Sequence, residues 1–92
     1  MTILDDDKII DLAELFKIFG DSTRIKIINI LMNEKMCVGD ISNNINVSQS
    51  AVSHQLNLLR AKKVVKCRKD GKRALYSVSD YAFLQLLDVG KG

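Results

Sequence analysis

Apolar residues recur along this chain first at helical and then at strand spacing, and the change of period lays out its elements. From Asp7 to Phe19, residues Ile9, Ile10, Leu12, Leu15, Phe16 and Phe19 return at intervals of three and four, which predicts a helix. Gly20 stops it. Asp21 and Ser22 can cap a second helix that runs to about Met32, with Ile25, Ile28, Leu31 and Met32 as its expected buried stripe. Asn33-Glu34-Lys35 reads as a turn, and Met36-Cys37-Val38 as a strand of a single bridge. Asp40 to Asn44 predicts a short third helix held by Ile41 and Ile45 and followed by a tight turn at Asn46-Val47. Ser48 caps a fourth helix that extends to about Lys62. Two strand-like runs follow, Val64 to Lys69 and Arg73 to Val78. The Asp70-Gly71 pair between them is a hairpin signal, because glycine supplies the positive φ that tight turns require. Ser79 then caps a last helix through Leu87, with Phe83, Leu84, Leu86 and Leu87 apolar.

The resulting order, α-α-β-α-α-β-β-α, is mainly α with a small β-hairpin. A helix-turn-helix with a hairpin attached is a winged helix. The 92 residues suit a single domain spanning 1–92. With 47% hydrophobic and 27% charged residues, the composition is that of an ordinary globular chain and not of a disordered one. A domain this small is marginal alone, and the apolar first and last helices fit completion of its core in a dimer. No apolar run approaches the ~18 residues of a membrane span. The acidic start, MTILDDDKII, lacks the basic residues of a signal peptide, so the expected location is cytoplasmic. Two cysteines are too few for a disulfide scaffold.

The net charge of +3 becomes informative once it is resolved along the chain. Residues 1–20 hold five acids against two bases, a local −3, whereas residues 60–73, RAKKVVKCRKDGKR, hold eight bases against one acid, a local +7. Self-repulsion of that density is relieved by an anionic partner, and nucleic acid is the first candidate. The fourth helix supports it. At 3.6 residues per turn, Ala51, Val52, Leu56, Leu58 and Leu59 fall on one side. Gln49, Ser50, Ser53, His54, Asn57 and Arg60 supply hydroxyl, amide, imidazole and guanidinium groups around the rest, with no carboxylate among them, and the cap Ser48 joins them as a candidate DNA contact. Gln55 alone interrupts the apolar stripe, where it calls for a hydrogen-bond partner on another helix. An acid-free outer face suits phosphates and base edges in a major groove. Around the hairpin tip, Arg68, Lys69, Lys72 and Arg73 are expected to meet phosphates and to supply affinity more than specificity.

These residues carry a family resemblance. VSQSAVSHQLNLLRAKKVV followed by KDGKRALYSV resembles the recognition helix and wing of the ArsR/SmtB family of bacterial winged-helix repressors. FGDSTRIKIINIL and MCVGDIS are similar to that family's second and third helices. The resemblance implies a homodimer joined by the first and last helices, bound to an imperfect palindromic operator in double-stranded DNA. It also implies repression until an effector weakens the complex.

Many members of that family sense metals, but the ligand types are lacking here. A soft-metal site at the start of the third helix takes a Cys-x-Cys pair, whereas this chain reads Cys37-Val38-Gly39. A site on the last helix takes Asp-x-His, whereas this chain reads Asp80-Tyr81-Ala82, and no second His-containing pair follows before Gly92. The single histidine, His54, lies on the recognition helix. One thiolate does not make a three- or four-ligand site, so neither a metal nor another cofactor is expected. An alternative of the same fold is a thiol-based redox or sulfur sensor. Cys37 matches a position that pairs in some relatives with a thiol on the last helix, but Cys67 falls on the wing. A winged-helix protein-interaction module without DNA readout is a further alternative, and it predicts acids or large apolar groups on the outer face of the fourth helix. An enzyme is not expected, since no phosphate loop, carboxylate pair or Cys/His constellation at catalytic spacing occurs.

Overall fold

A computed structural model describes residues 5–90. Five helices and one hairpin follow in order: α1 (Asp6–Phe19), α2 (Ser22–Asn33), α3 (Val38–Ile45), α4 (Gln49–Ala61), β1 (Val65–Asp70), β2 (Arg73–Val78) and α5 (Asp80–Gly90). No helix among the described residues is long and apolar enough to cross a membrane. The expected domain span, 1–92, includes residues 1–4 and 91–92, which lie outside the described residues, as do the side chains of Leu15, Phe19, Leu86, Asp88 and Val89.

Side-chain caps start four of the helices. Asp5 accepts a bond from the Lys8 amide at 2.9 Å, Asp21 from Arg24 at 3.1 Å and Ser48 from Ala51 at 3.2 Å, each satisfying an amide that the first turn leaves free. Ser79 caps α5 through Ala82 N–H at 3.1 Å and donates its hydroxyl to the Lys63 carbonyl at 2.7 Å, which pins α5 to the start of the wing.

α3 is longer than expected at both ends. Cys37, in extended backbone, is its N-cap, so the predicted strand at 36–38 shrinks to Met36 alone. Met36 and Tyr76 exchange both backbone bonds, at 3.0 and 2.8 Å, and thereby fasten the α2–α3 turn to the outer edge of β2. Asn46 ends α3 in left-handed backbone (φ 56°), and the Ser42 hydroxyl bonds the Val47 carbonyl across the turn.

The strands pair antiparallel from Val65↔Val78 to Asp70↔Arg73. The pairing runs one residue further on the β1 side than the sequence predicts, because the turn residues are Gly71 and Lys72. Gly71, at φ 65°, takes the first central position, where a type II′ hairpin requires glycine. Between α4 and β1 the chain reverses without glycine. Lys63 (φ 62°) donates to Arg60 O at 2.9 Å and Val64 donates to Leu59 O at 2.9 Å, the bond pair of a Schellman motif.

The core is one cluster: Ile18 from α1; Ile27, Ile28 and Leu31 from α2; Ile41 from α3; Val52, Leu56 and Leu59 from α4; Val64, Val65, Val78 and Ala82 from the wing and α5. The buried stripe of α2 departs from expectation. Ile27 replaces Ile25, which is exposed, and Arg24 lies half-buried on the inward side. Two polar intrusions answer each other on that side. Arg24 Nε donates to Gln55 Oε1 at 2.8 Å, so the guanidinium on α2 and the amide inside the apolar stripe of α4 are satisfied together. Among the described residues, no polar side chain is fully buried.

Among the described residues, seven large apolar side chains on the terminal helices remain exposed: Ile9, Ile10 and Phe16 on α1, and Tyr81, Phe83, Leu84 and Leu87 on α5. α1 is apolar on the side facing away from its own protomer. Ile9 and Phe16 share the outward face with Leu12, while Asp11, Glu14 and Ile18 share the opposite one. The radius of gyration, 14.0 Å, exceeds the roughly 12 Å of a compact domain of this length.

Candidate nucleic-acid interface

α4 is seated by Val52, Leu56 and Leu59, which are all buried, and their spacing fixes which side chains point out. Gln49, Ser50, His54, Asn57 and Arg60 are exposed, and Ser53 is half-buried at the margin of the same surface. Ser48 is exposed too, with its hydroxyl engaged as the cap. No acidic residue lies in the first turn of α4, so the positive end of the helix dipole and its free amides are uncompensated by the chain. Leu58 departs from the projection. It sits at the margin of the stripe and is 39% exposed.

The hairpin brings a second set of cations to the same end of the fold. Arg68, Lys69, Lys72 and Arg73 are all exposed, and the register places Arg68 opposite Leu75 and Lys69 opposite Ala74. Arg73 differs from the others in being held. Its Nη2 lies 3.3 Å from Asp40 Oδ2 and 3.6 Å from Cys37 Sγ, so it joins the wing to the start of α3. Lys66, on the outer face of β1, stands 3.7 Å from Asp80.

Both cysteines are free and half-buried. Cys67 pairs with Tyr76 on the hairpin face that carries Val65 and Val78, away from Lys66 and Arg68. Burial holds the Tyr76 phenol above its ordinary pKa, with neighbouring Cys67 adding to the effect and Arg60 opposing it. Met36 bonds one edge of Tyr76 and Cys67 pairs at the other, so β2 runs between the two cysteine-bearing segments. Two strand spacings amount to about 9–10 Å. A disulfide needs Cα atoms within about 7 Å, so linking Cys37 to Cys67 within one chain requires the backbone to move. Among the described residues, no group of three or more His, Cys, Asp or Glu side chains is placed to hold a metal ion.

Comparison with known proteins agrees with this arrangement. A family model described as "Bacterial regulatory protein, arsR family" matches residues 21–66, from the cap of α2 into β1. The chain belongs to the ArsR family. It is 34% identical over 84 residues to the transcriptional repressor SmtB homolog of Synechocystis, an alignment that covers 91% of this chain and 64% of that protein. The chain thus spans somewhat less than two thirds of that relative's length. It is 42% identical over 69 residues to an uncharacterized HTH-type transcriptional regulator of Methanocaldococcus jannaschii, covering 74% of this chain and 78% of the other. The crystal structure of NolR from Sinorhizobium fredii superposes with a TM-score of 0.77 at 30% identity, covering 97% of this chain and 92% of that one.

Within the ArsR frame, the mainly α winged helix with its small hairpin stands as expected. α4 takes the place of the second helix of the helix-turn-helix, and the β1–β2 hairpin that of the wing. Gln55, read from the sequence only as an interruption of the stripe, is the residue that locks this helix to α2. A polar side chain inside an apolar face was the available signal, although its partner was not legible.

Proposed function

We propose that this chain is a dimeric, sequence-specific DNA-binding repressor that an effector releases from an imperfect palindromic operator, acting in the cytoplasm and without enzymatic activity. The observation that carries this reading is the outer face of α4, which has no carboxylate and lies beside the exposed cations of the wing. A module that binds another protein through this face needs acids or large apolar groups there, and neither is present. The repressor name of the Synechocystis relative supports the same reading. In this reading Gln49, Ser50, Ser53 and His54 meet base edges, while Ser48, Asn57 and Arg60 meet the backbone beside them. The dimer forms through the outward apolar faces of α1 and α5.

The deciding experiment selects bound sequences from random DNA and compares the winning site with a scrambled duplex. Gln49→Ala or Ser53→Ala is expected to weaken the selected site by about 1–3 kcal/mol per lost contact and to leave scrambled DNA nearly unaffected. Equal losses on both duplexes rule out base readout by these residues.

For the wing, the expected signature lies in salt dependence. Each phosphate contact contributes about 0.9 to the slope of log affinity against log salt. The double variant Lys69→Ala/Lys72→Ala is therefore expected to flatten that slope by close to two units. Arg73→Ala is expected to change it less, since Asp40 already faces that guanidinium. A slope that the double variant leaves unchanged argues against wing contact.

A further inference from the structure

On the side of α1 opposite its outward apolar face, a trough runs between α1 and the rest of the protomer. One end has a volume of about 190 Å3, an apolar floor of Ile18, Leu58 and Leu59, and a rim of Lys17, Arg24 and Lys62. The other end, about 150 Å3, is bordered by the Asp11 carboxylate and extends past Val64 to Tyr81 and Ala82. Glu14, Ile18 and Lys62 border both ends, and the Glu14–Lys62 ion pair, at 2.9 Å, spans the middle. Because Glu14 and Ile18 face away from Ile9, Leu12 and Phe16, a partner seated on that stripe of α1 leaves the end floored by Ile18, Leu58 and Leu59 open.

The chemistry of this place is specific. Three cations converge over an apolar floor, and the one carboxylate at that end, Glu14, is shared by two of them, Lys62 at 2.9 Å and Lys17 at 3.5 Å. Among the described hydrogen bonds the Arg24 guanidinium uses Nε alone, toward Gln55, which orients it and leaves its terminal nitrogens to a further acceptor. The hydrogen bond from Lys62 and the charge of Lys17 hold the Glu14 carboxyl below its ordinary pKa, so the rim already favours a carboxylate. The volume is below the ~300–1,000 Å3 of drug-sized sites, which points to a ligand of one ring or a short branched chain.

We propose that the trough binds a small organic monocarboxylate with an apolar body, its carboxylate seated on Arg24 and Lys62 in competition with Glu14, and that this is where an effector acts. Lys62 is the C-cap of the recognition helix, and Glu14 lies on α1. A ligand that takes Lys62 from Glu14 removes the ion pair between the terminal helix and the helix that reads DNA. The regulatory half of this proposal rests on the repressor reading above. The binding half does not.

Benzoate is the probe, with benzamide as its neutral isostere, titrated into the full chain without DNA and followed by side-chain methyl resonances. Benzoate is expected to move the signals of Ile18, Leu58 and Leu59 and to bind at least tenfold more tightly than benzamide. Arg24→Gln is expected to weaken benzoate about tenfold. Glu14→Gln removes the internal competitor and is expected to tighten benzoate severalfold, a gain that a damaged fold does not produce. Absence of shifts at millimolar benzoate, equal binding of benzamide, or unaltered affinity in Glu14→Gln overturns the site. In a second arm, saturating benzoate is expected to change affinity for the selected duplex by roughly fivefold or more. Benzoate that binds without altering DNA affinity overturns the coupling. A chain that binds benzoate but selects no DNA sequence overturns the repressor reading and upholds the site.

Discussion

Phe16→Glu combined with Leu84→Glu is expected to yield a monomer that keeps its helical content and loses specific DNA binding. Both side chains are largely solvent-exposed in the protomer, 68% for Phe16 and 61% for Leu84, so neither charge disturbs the core. In the proposed dimer both residues enter an apolar interface, where an unpaired carboxylate carries a desolvation cost of several kcal/mol. Light scattering behind size-exclusion chromatography reads the assembly, and far-UV circular dichroism reads the fold. A palindrome is held by two recognition helices at once, so the monomer's affinity is expected to fall toward the non-specific level, on the order of 10³-fold. A double variant that stays dimeric places the interface elsewhere. The control is Phe16→Leu, which keeps an apolar group at the same position and is expected to remain dimeric.

The second large effect separates two leucines on one helix. Leu56 is fully buried in the core, whereas Leu58, on the floor of the trough, is 39% exposed. Leu56→Ala is expected to cost ~2–5 kcal/mol in urea or thermal unfolding, combining lost burial with the cavity left behind. Leu58→Ala is expected to stay within about 0.5 kcal/mol. For so small a domain the first loss is a large share of the total stability, and it shows as a protein unfolded near physiological temperature. Similar costs at the two positions contradict the described packing of α4.

The contrast between these leucines marks the limit of what periodicity conveys. Element order, the Ser48 cap, the hairpin and the acid-free face of α4 are local properties, and each was legible because one residue type or spacing determines it. Which of several apolar residues is covered depends on what lies across from it. In α2 the pattern offered Ile25, Ile28, Leu31 and Met32, and the fold instead buries Ile27, Ile28 and Leu31 with Arg24 half-covered beside them. On that covered side Arg24 meets Gln55, which is 31 residues away in sequence. The same holds for the candidate interface. Sequence placed Arg73 among the free cations of the wing, and only the folded chain brings it beside Asp40 and Cys37. Cys37 and Cys67 read as a potential pair until β2 came to lie between their segments.

The joint at Lys63 sets the spacing between α4 and the wing, the two parts of the proposed DNA-facing surface. A helix that reads bases and a hairpin that meets phosphates are usually imagined as two fingers free to adjust to each other. Here the reversal is closed by two backbone bonds at 2.9 Å, with Val64 and Leu59 buried beneath it and Ser79 fastened to its carbonyl. Such a joint behaves as a caliper locked at one opening. A duplex lying across both jaws has to bring its groove to that gap, and the work of doing so varies with how stiff each base step is. Base pairs beneath the wing are then sorted by their mechanics, even where no side chain touches their edges.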